Sequence, residues 1–414
     1  MKFLVLAVGA TRRFFLFGVS IGLLAITSLW FVRAAVSESD LETWASVAVG
    51  QTIGALGAIV VGYGWSVSGP TRVAAAHGSD RMNEYADALR IRIIVLPAVA
   101  SAVLIASLLV PNVNGWITFA GSLPVLLSAL SASFYFVGAA APVKLFLLET
   151  LPRVTFTALA ALSMSLGAIG VVGGLVVQLG GTTIAIAASS IFILRGGLGG
   201  VFRRRSPDSP RTTRSLLMRQ RSGILSALLV NFYGGAPILI ISFLSPVALA
   251  QFSVVDKLTK QLLAGSSPVT AVLQGWVPKA GPHSVQRRAR LAVMISWLVS
   301  SAASALVAVV ASPLLVWISA GEYIPPKTTQ LLMGALVGLF LVQNAVGYSA
   351  LAALGRLNLV NLSLAVWAPI GLILVAVLTP YLGVNGALIG VTCGIFGAAI
   401  WQSVGAVVPH RREE

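Results

Sequence analysis

Three charged residues lie close together in one apolar stretch of the chain, residues 248–277. Asp256 and Lys260 are four positions apart, and Lys257 lies between them. An acid placed four residues before a base is the favourable order for an ion pair on a helix, so this spacing predicts that Asp256 neutralises Lys260. If the stretch crosses a bilayer, each lysine costs about 2.5–3.5 kcal/mol on insertion scales, and such residues usually have a partner or a function.

Polar and small residues recur in this stretch at steps of three and four, which places them on one face of a helix. They are Ser253, Lys257, Lys260, Ala264, Ser267, Ala271 and Gln274. The opposite face carries Leu249, Phe252, Val255, Leu262, Val269 and Trp276. This pattern predicts a helix with one apolar side and one side facing a wet cavity, where Lys257 and Lys260 would attract an anionic head group. The alternative is that the helix begins lower and both lysines snorkel to the outer interface.

Further polar side chains lie in other apolar stretches and are candidates for the same cavity. They are Tyr63, Asn231, Tyr233, Gln343, Asn344 and Tyr348. Amide and phenol groups both donate and accept hydrogen bonds, which suits sugar hydroxyls. They suit hydrogen bonds between helices equally well. Arg33 is interpreted either as a cavity cation or as an interface anchor.

The composition indicates that membrane-spanning helices must position these residues. The chain has 414 residues, of which 57% are hydrophobic and only 10% charged, with a mean hydropathy of +0.93. Soluble domains carry about 25% charged residues, so a soluble fold of this size is excluded. The single cysteine, Cys393, excludes an intrachain disulfide. The sequence therefore predicts a polytopic membrane protein, and its spans must be helical because each segment has to satisfy its own backbone polar groups.

Apolar segments of about 20 residues indicate twelve spans. The predicted spans are 14–35, 43–66, 91–111, 116–142, 153–172, 175–196, 223–245, 248–277, 291–319, 328–353, 358–379 and 384–407. The break between the fifth and sixth is placed at Gly173-Gly174. This count puts both termini and all but four of the 28 basic residues on one side, which the positive-inside rule identifies as cytoplasmic. The four exceptions are Arg33, Lys257, Lys260 and Lys327.

A basic, proline-containing segment divides the spans six and six. We predict an N-terminal lobe at 1–202, a cytoplasmic linker at 203–222 and a C-terminal lobe at 223–414. The net charge of +16 is explained by topology and by attraction to anionic membrane lipid, so no nucleic-acid partner is expected. No cofactor or metal site is expected, because the three histidines lie apart. Asp256 is the only acid placed inside a span, which argues against catalysis by paired carboxylates.

Four segments of the chain carry a family resemblance. They are FVRAAVSESDLETWA (31–45), YGWSVSGPTRVAAA (63–76), ALAQFSVVDKLTKQLLAGSSPVTAVLQGWVPKA (248–280) and YLGVNGALIG (381–390). The chain resembles the polysaccharide repeat-unit flippases of the Wzx type, in the multidrug/oligosaccharidyl-lipid/polysaccharide (MOP) exporter superfamily. In the related lipid II flippases, an acid, a base and Leu follow one another in the eighth helix. Asp256, Lys257 and Leu258 match that pattern, and the cation is implicated in holding pyrophosphate.

The resemblance implies two six-helix bundles around a central cavity that opens alternately to each side. The implied substrate is an anionic, polyprenyl-pyrophosphate-linked oligosaccharide, moved across the cytoplasmic membrane without making or breaking a bond. A counter-ion, either a proton or sodium, and polysaccharide-synthesis enzymes are possible partners. The alternatives are a multidrug or cation antiporter of the same superfamily, a polytopic polysaccharide polymerase or ligase, and a membrane scaffold.

Overall fold

The structure, a computed structural model, describes residues 2–77, 79–196, 232–278 and 284–408. Throughout these ranges the chain forms helices joined by turns, and they contain no strand. The predicted all-helical class is therefore confirmed. Polar side chains begin several of the helices by accepting backbone N–H groups that have no partner inside the helix. The carboxylate of Asp40, for example, accepts the N–H of Thr43 at 2.5 Å, and the side chain of Asn114 accepts the N–H of Trp116 at 3.1 Å.

The chain divides into two compact units, Met1–Gly235 and Ala236–Glu414. Nine helices are described in the first unit: α1 (Lys2–Glu38), α2 (Leu41–Gly62), α3 (Trp65–Ala75), α4 (Ser79–Leu109), α5 (Gly115–Leu127), α6 (Ser133–Gly138), α7 (Pro142–Leu145), α8 (Leu151–Ser165) and α9 (Val171–Leu194). A short 3-10 turn (Ser128–Leu130) follows α5, and a π-helical turn (Phe146–Thr150) joins α7 to α8. The predicted linker, 203–222, lies outside the described residues.

Helix α10 (Phe232–Leu244) spans the boundary between the units. The second unit continues with α11 (Pro246–Trp276), α12 (Val285–Ile318), α13 (Lys327–Ala345), a π-helical turn (Val346–Leu351), α14 (Leu357–Leu382) and α15 (Val384–Val407). Helix α14 packs along α15, α12 packs along α13, and α11 packs against α13. Each unit thus has its own interior of helices packed on helices.

Ten helical segments in the described ranges are long and apolar enough to cross a membrane, and they coincide with ten of the twelve predicted spans. The other two predicted spans correspond to α10, which adjoins residues outside the described ranges, and to α11. Helix α11 has 31 residues and carries the charged residues of the predicted site. The chain is thus a multi-pass membrane protein by the length and composition of its helices.

Several predicted boundaries are wrong. The break between the fifth and sixth spans lies at 166–170, where Gly167 adopts a left-handed φ of 66°, and Gly173 and Gly174 lie inside α9. Gly174 packs against the Met164 side chain, and a Cβ on it would lie 2.6 Å from the Met164 sulfur, so that side chain would have to move. The third and fifth spans begin earlier than predicted, at Asp80 and Pro142. Glu84, Asp87 and Glu149, which lie outside the predicted spans, therefore lie within these helical segments.

Glycines allow α2 and α5 to approach each other closely. A Cβ at Gly50 would overlap the backbone carbonyl of Thr118, and a Cβ at Gly54 would overlap that of Ser122. On the other side of the contact, a Cβ at Gly121 would meet the backbone of Val47 at 2.9–3.1 Å. Small residues on facing helices are the usual means of tight packing in membranes, where no hydrophobic effect drives helices together.

This packing predicts that Gly50→Ala destabilises the first unit by about 1–3 kcal/mol, because the added methyl group meets backbone that has no rotamer to change. Gly22→Ala, a matched control in α1, adds a methyl group to open space and is expected to be neutral or slightly stabilising. The measurement is the apparent melting temperature of each purified variant in one detergent. Equal melting temperatures for the two variants would show that α2 and α5 are not held at this distance.

Candidate functional site

The helix that carries the predicted cations begins at a defined cap. The hydroxyl of Ser245 accepts the N–H of Ala248 at 3.2 Å, and Pro246 occupies the first turn, where its missing N–H is not needed. From Pro246, α11 continues without a break to Trp276. Lys257 lies about 16 Å along the axis from Pro246, at 1.5 Å per residue.

The predicted ion pair forms on α11. The Nζ of Lys260 lies 2.7 Å from the Oδ2 of Asp256, and the Lys260 side chain is 45% exposed. Lys257 is partly buried on the same helix. The three residues thus place an ion pair beside a second ammonium group in the middle third of α11.

The two predicted faces of α11 differ only in part among the side chains that the structure describes. Leu249, Phe252 and Val255, on the apolar face, are buried. Ser253, on the predicted polar face, is also buried, and its hydroxyl donates to the carbonyl of Ala250 at 2.7 Å. The Ser253 hydroxyl therefore finds its hydrogen-bond acceptor within its own helix. The charged part of the polar face begins at Asp256.

The predicted polar residues of the second unit lie on the helix that packs against α11. Gln343 and Asn344 are at the end of α13, and Tyr348 is in the π-helical turn that follows. Gln343 is buried, and its Oε1 has no hydrogen-bond partner in the described ranges. Asn344 is partly buried, whereas Tyr348 is exposed. An amide oxygen buried without a donor is costly, so Gln343 is the member of this set with unused capacity to bind a donor.

The predicted residues of the first unit lie on three separate elements. Arg33 is partly buried near the end of α1. Tyr63 ends α2 with a left-handed φ of 45°, and Gly64 follows with a φ of 76°, so the chain turns sharply between α2 and α3. Tyr233 is buried at the start of α10. Asn231 lies outside the described residues.

A buried ionic cluster in the first unit was missed by the sequence analysis. The carboxylate of Glu149 accepts the Ser131 hydroxyl and the Ala132 N–H, both at 2.8 Å. Arg153 forms an ion pair with Glu149 at 2.8 Å. The Nη1 of Arg92 donates a hydrogen bond to the carbonyl oxygen of Ser131 at 3.0 Å. The cluster thus joins the break between α5 and α6 to α4 and to the segment around α8.

Aromatic rings surround this cluster. The guanidinium carbon of Arg92 lies 4.7 Å from the centroid of the Phe134 ring, within the range of a cation–π contact. Tyr85 stacks on Phe134 with a centroid distance of 6.0 Å, and its hydroxyl shares a 2.7 Å hydrogen bond with Ser190. Glu149 and Arg92 are only 2% and 3% exposed. The Glu149 carboxylate and the Arg92 guanidinium are therefore buried, whereas the Arg153 side chain is partly exposed.

The placement of Asp256 as the only acid within a span is wrong. Glu84, Asp87 and Glu149 also lie within helical spans, and all three are buried. The error arose because neighbouring basic residues made these segments look like inner loops. One local signal was present: Glu149 and Arg153 have the same acid-first spacing of four residues as Asp256 and Lys260.

A partly polar cavity of about 500 Å³ is open at the surface of the second unit, where the α12–α13 loop meets the start of α15. Its lining includes Gln251, Glu322, Tyr323 and Asn385. The amide oxygen of Asn385 accepts the Thr329 hydroxyl at 2.7 Å, which fixes the direction of the amide. Burial raises the pKa of the Tyr323 phenol, so this group stays neutral and able to donate a hydrogen bond at ordinary pH. The cavity thus carries amide, phenol and carboxylate groups, of which the Asn385 amide and the Tyr323 hydroxyl also bond to Thr328 and Thr329.

Comparisons with known proteins identify the fold. No protein-family model and no curated protein matches the sequence. Among solved structures, the chain is similar to a multidrug resistance MATE family transporter of the MOP superfamily in an inward-facing conformation. Identity is 14% and the TM-score is 0.61, and the match covers 92% of this chain and 93% of that one.

Two further solved structures give the same result. An outward-facing multidrug resistance MATE family transporter matches with 14% identity and a TM-score of 0.52, over 94% of this chain and 92% of that chain. A MATE protein in a bent conformation matches with 14% identity and a TM-score of 0.53, over 96% and 93% of the two chains. The chain therefore has the fold of the MATE transporters, as the predicted MOP/MATE-like class requires.

Proposed function

We propose that this protein is an exporter of the MOP superfamily, of the polysaccharide repeat-unit flippase type. Its substrate is a polyprenyl-pyrophosphate-linked oligosaccharide, which it moves across the cytoplasmic membrane by alternating access. The observation that carries the proposal is the charge arrangement on α11, where Lys257 lies beside the ion pair of Asp256 and Lys260. The MATE fold supports the coarser part of the proposal, a transporter rather than an enzyme.

The chemistry of the substrate explains why such a helix is needed. Moving a pyrophosphate or a sugar hydroxyl from water into hydrocarbon costs several kcal/mol for each polar group that has no hydrogen-bond partner there. Ammonium groups on a spanning helix supply charge-assisted hydrogen bonds to the phosphate oxygens. The net charge of this site also selects the ligand. Asp256, Lys257 and Lys260 together carry one positive charge, which favours an anionic ligand over a cationic one.

Neutral polar groups in the second unit suit the sugar part of the substrate. The cavity lined by Gln251, Tyr323 and Asn385 presents amide and phenol groups, which donate and accept as sugar hydroxyls do. The unpartnered Oε1 of Gln343 adds an acceptor on the helix packed against α11. These features support a carbohydrate ligand more than a hydrophobic one.

The second candidate is a multidrug or cation antiporter. Two observations favour it: the similar solved structures include multidrug resistance transporters, and buried acids are present in the first unit. However, Glu149 is paired with Arg153, and Glu84 lies 3.9 Å from Arg72. Two of the three buried acids described in the first unit thus already have arginine partners and are poorly placed to bind a cationic drug, so we rank this candidate second.

Orientation and partners form part of the proposal. Both termini face the cytoplasm, as the positive-inside rule requires for the predicted charge distribution. A proton or sodium ion serves as counter-ion, and enzymes of polysaccharide synthesis supply the lipid-linked substrate on the cytoplasmic side.

A two-arm vesicle experiment distinguishes the candidates. In the first arm, the purified protein is reconstituted with a polyprenyl-pyrophosphate-linked oligosaccharide, and flipping is measured as the loss of protection from an added glycosidase. In the second arm, efflux of a cationic dye is measured under imposed proton and sodium gradients. We expect rapid flipping with no dye efflux above that of protein-free vesicles. Dye efflux coupled to an ion gradient, together with flipping at the protein-free rate, would replace this proposal with the antiporter.

A further inference from the structure

A long apolar groove runs along the surface of the second unit between α14 and α15, with a volume of about 890 Å³. Trp367, Phe396 and Trp401 form its walls. The groove depends on a missing side chain, because a Cβ at Gly397 would overlap the Trp367 ring. Phe396 is 51% exposed, so the groove is open along its side instead of enclosed between the helices.

One end of the groove is cationic. The Nη1 of Arg356 donates to the carbonyls of Gly405 and Val408, at 2.6 and 2.9 Å, and this fixes the guanidinium at the last turn of α15. In the described part of the chain, the Nε and Nη2 of Arg356 donate to no group. Arg290 donates to the Val407 carbonyl at 3.1 Å, so a second guanidinium lies at the same helix end.

The length of the groove matches one leaflet of a bilayer. From Phe396 to Val408, its wall extends over twelve residue steps along α15 and its C-terminal cap, or about 18 Å at 1.5 Å per residue. The hydrocarbon core of a bilayer is about 30 Å thick, so one leaflet contributes about 15 Å. An acyl chain that starts at the arginine end therefore fills most of the groove within one leaflet.

We propose that this groove is a binding site for an anionic phospholipid. The phosphate accepts hydrogen bonds from the unused N–H groups of Arg356, and one acyl chain lies along Trp367 and Trp401. A guanidinium suits phosphate because its donors form a planar fork. Anionic lipid is the occupant favoured by charge, because Arg356 lines the end of the groove and Arg290 holds a second guanidinium at the same end of α15. This site is independent of the transport proposal and is separate from the residues of α11.

The test is native mass spectrometry of the delipidated protein titrated with phosphatidylglycerol or phosphatidylcholine. The wild-type protein is expected to retain one phosphatidylglycerol with about tenfold preference over phosphatidylcholine, because the choline cation of phosphatidylcholine offsets the charge of the phosphate that Arg356 binds. Arg356→Gln should remove this preference, and Arg356→Lys should keep part of it. Because Arg356 also caps α15, a second variant leaves it intact: Val404→Trp, which fills the groove from an exposed position.

The matched control is Val309→Trp, which adds the same side chain at an exposed position on α12, outside the groove. We expect Val404→Trp to weaken phosphatidylglycerol binding about tenfold and Val309→Trp to leave it unchanged. Equal binding by both tryptophan variants would overturn the proposal. Retention of added polyprenyl phosphate that phosphatidylglycerol cannot displace would also overturn it, and would assign the groove to the tail of a transported lipid.

Discussion

Lys257→Ala is expected to lower the transport of a pyrophosphate-linked substrate by about 10- to 100-fold, with protein level and membrane insertion unchanged. The expected loss corresponds to one charge-assisted hydrogen bond, at about 1.5–3 kcal/mol and 1.4 kcal/mol per factor of ten. Lys257→Arg keeps the charge and should retain most of the activity. The measurement is the initial rate of flipping in vesicles that contain equal amounts of folded protein.

The control for this effect is Lys327→Ala, which removes an exposed lysine at the start of α13 in the same unit. It should transport at the wild-type rate. If Lys257→Ala and Lys257→Arg both transport normally, Lys257 is not a cavity cation, and snorkelling to the interface is the correct interpretation. If neutralising Arg203, Arg204 and Arg205 costs more activity than Lys257→Ala, the membrane scaffold gains support.

The spans could be predicted from the sequence because they depend on a property that is local and strong. Some twenty apolar residues without a charge must cross the bilayer as a helix, whatever the helix packs against. The breaks were harder to place. The turn at Gly167 and the interruption at Ser131 and Ala132 follow from backbone conformation and distant partners, and hydropathy does not register either feature.

The two ion pairs show the same limit for the candidate site. The pair of Asp256 and Lys260 was predictable because it needs only a spacing of four residues on one helix. The role of Glu149 was not, because it depends on Ser131, 18 positions away, and on Arg92, a further 39 positions from Ser131. Flanking basic residues also made the Glu149 segment resemble a loop. Only the packed first unit shows that its carboxylate closes the α5–α6 break.

Glu149→Leu is expected to destabilise the protein by about 3–5 kcal/mol, because it leaves the partly buried Arg153 without its counter-charge and removes the acceptor of the Ser131 hydroxyl and the Ala132 N–H. We expect the apparent melting temperature to fall by about 10 °C, measured by size-exclusion chromatography of heated samples. Glu42→Leu, at an exposed acid in the first turn of α2, is the control and should cost less than about 1 kcal/mol.

The double variant Glu149→Leu/Arg153→Met separates the role of the charge from that of the packing. Replacing both members of a buried ion pair by apolar residues is often nearly neutral, so the double variant should recover part of the stability that Glu149→Leu loses. Recovery is expected to be incomplete, since Arg92, Ser131 and Ala132 still lack the carboxylate. If Glu149→Leu alone is as stable as Glu42→Leu, the carboxylate does not hold the break between α5 and α6. That break would then be set by the backbone and its aromatic surroundings alone.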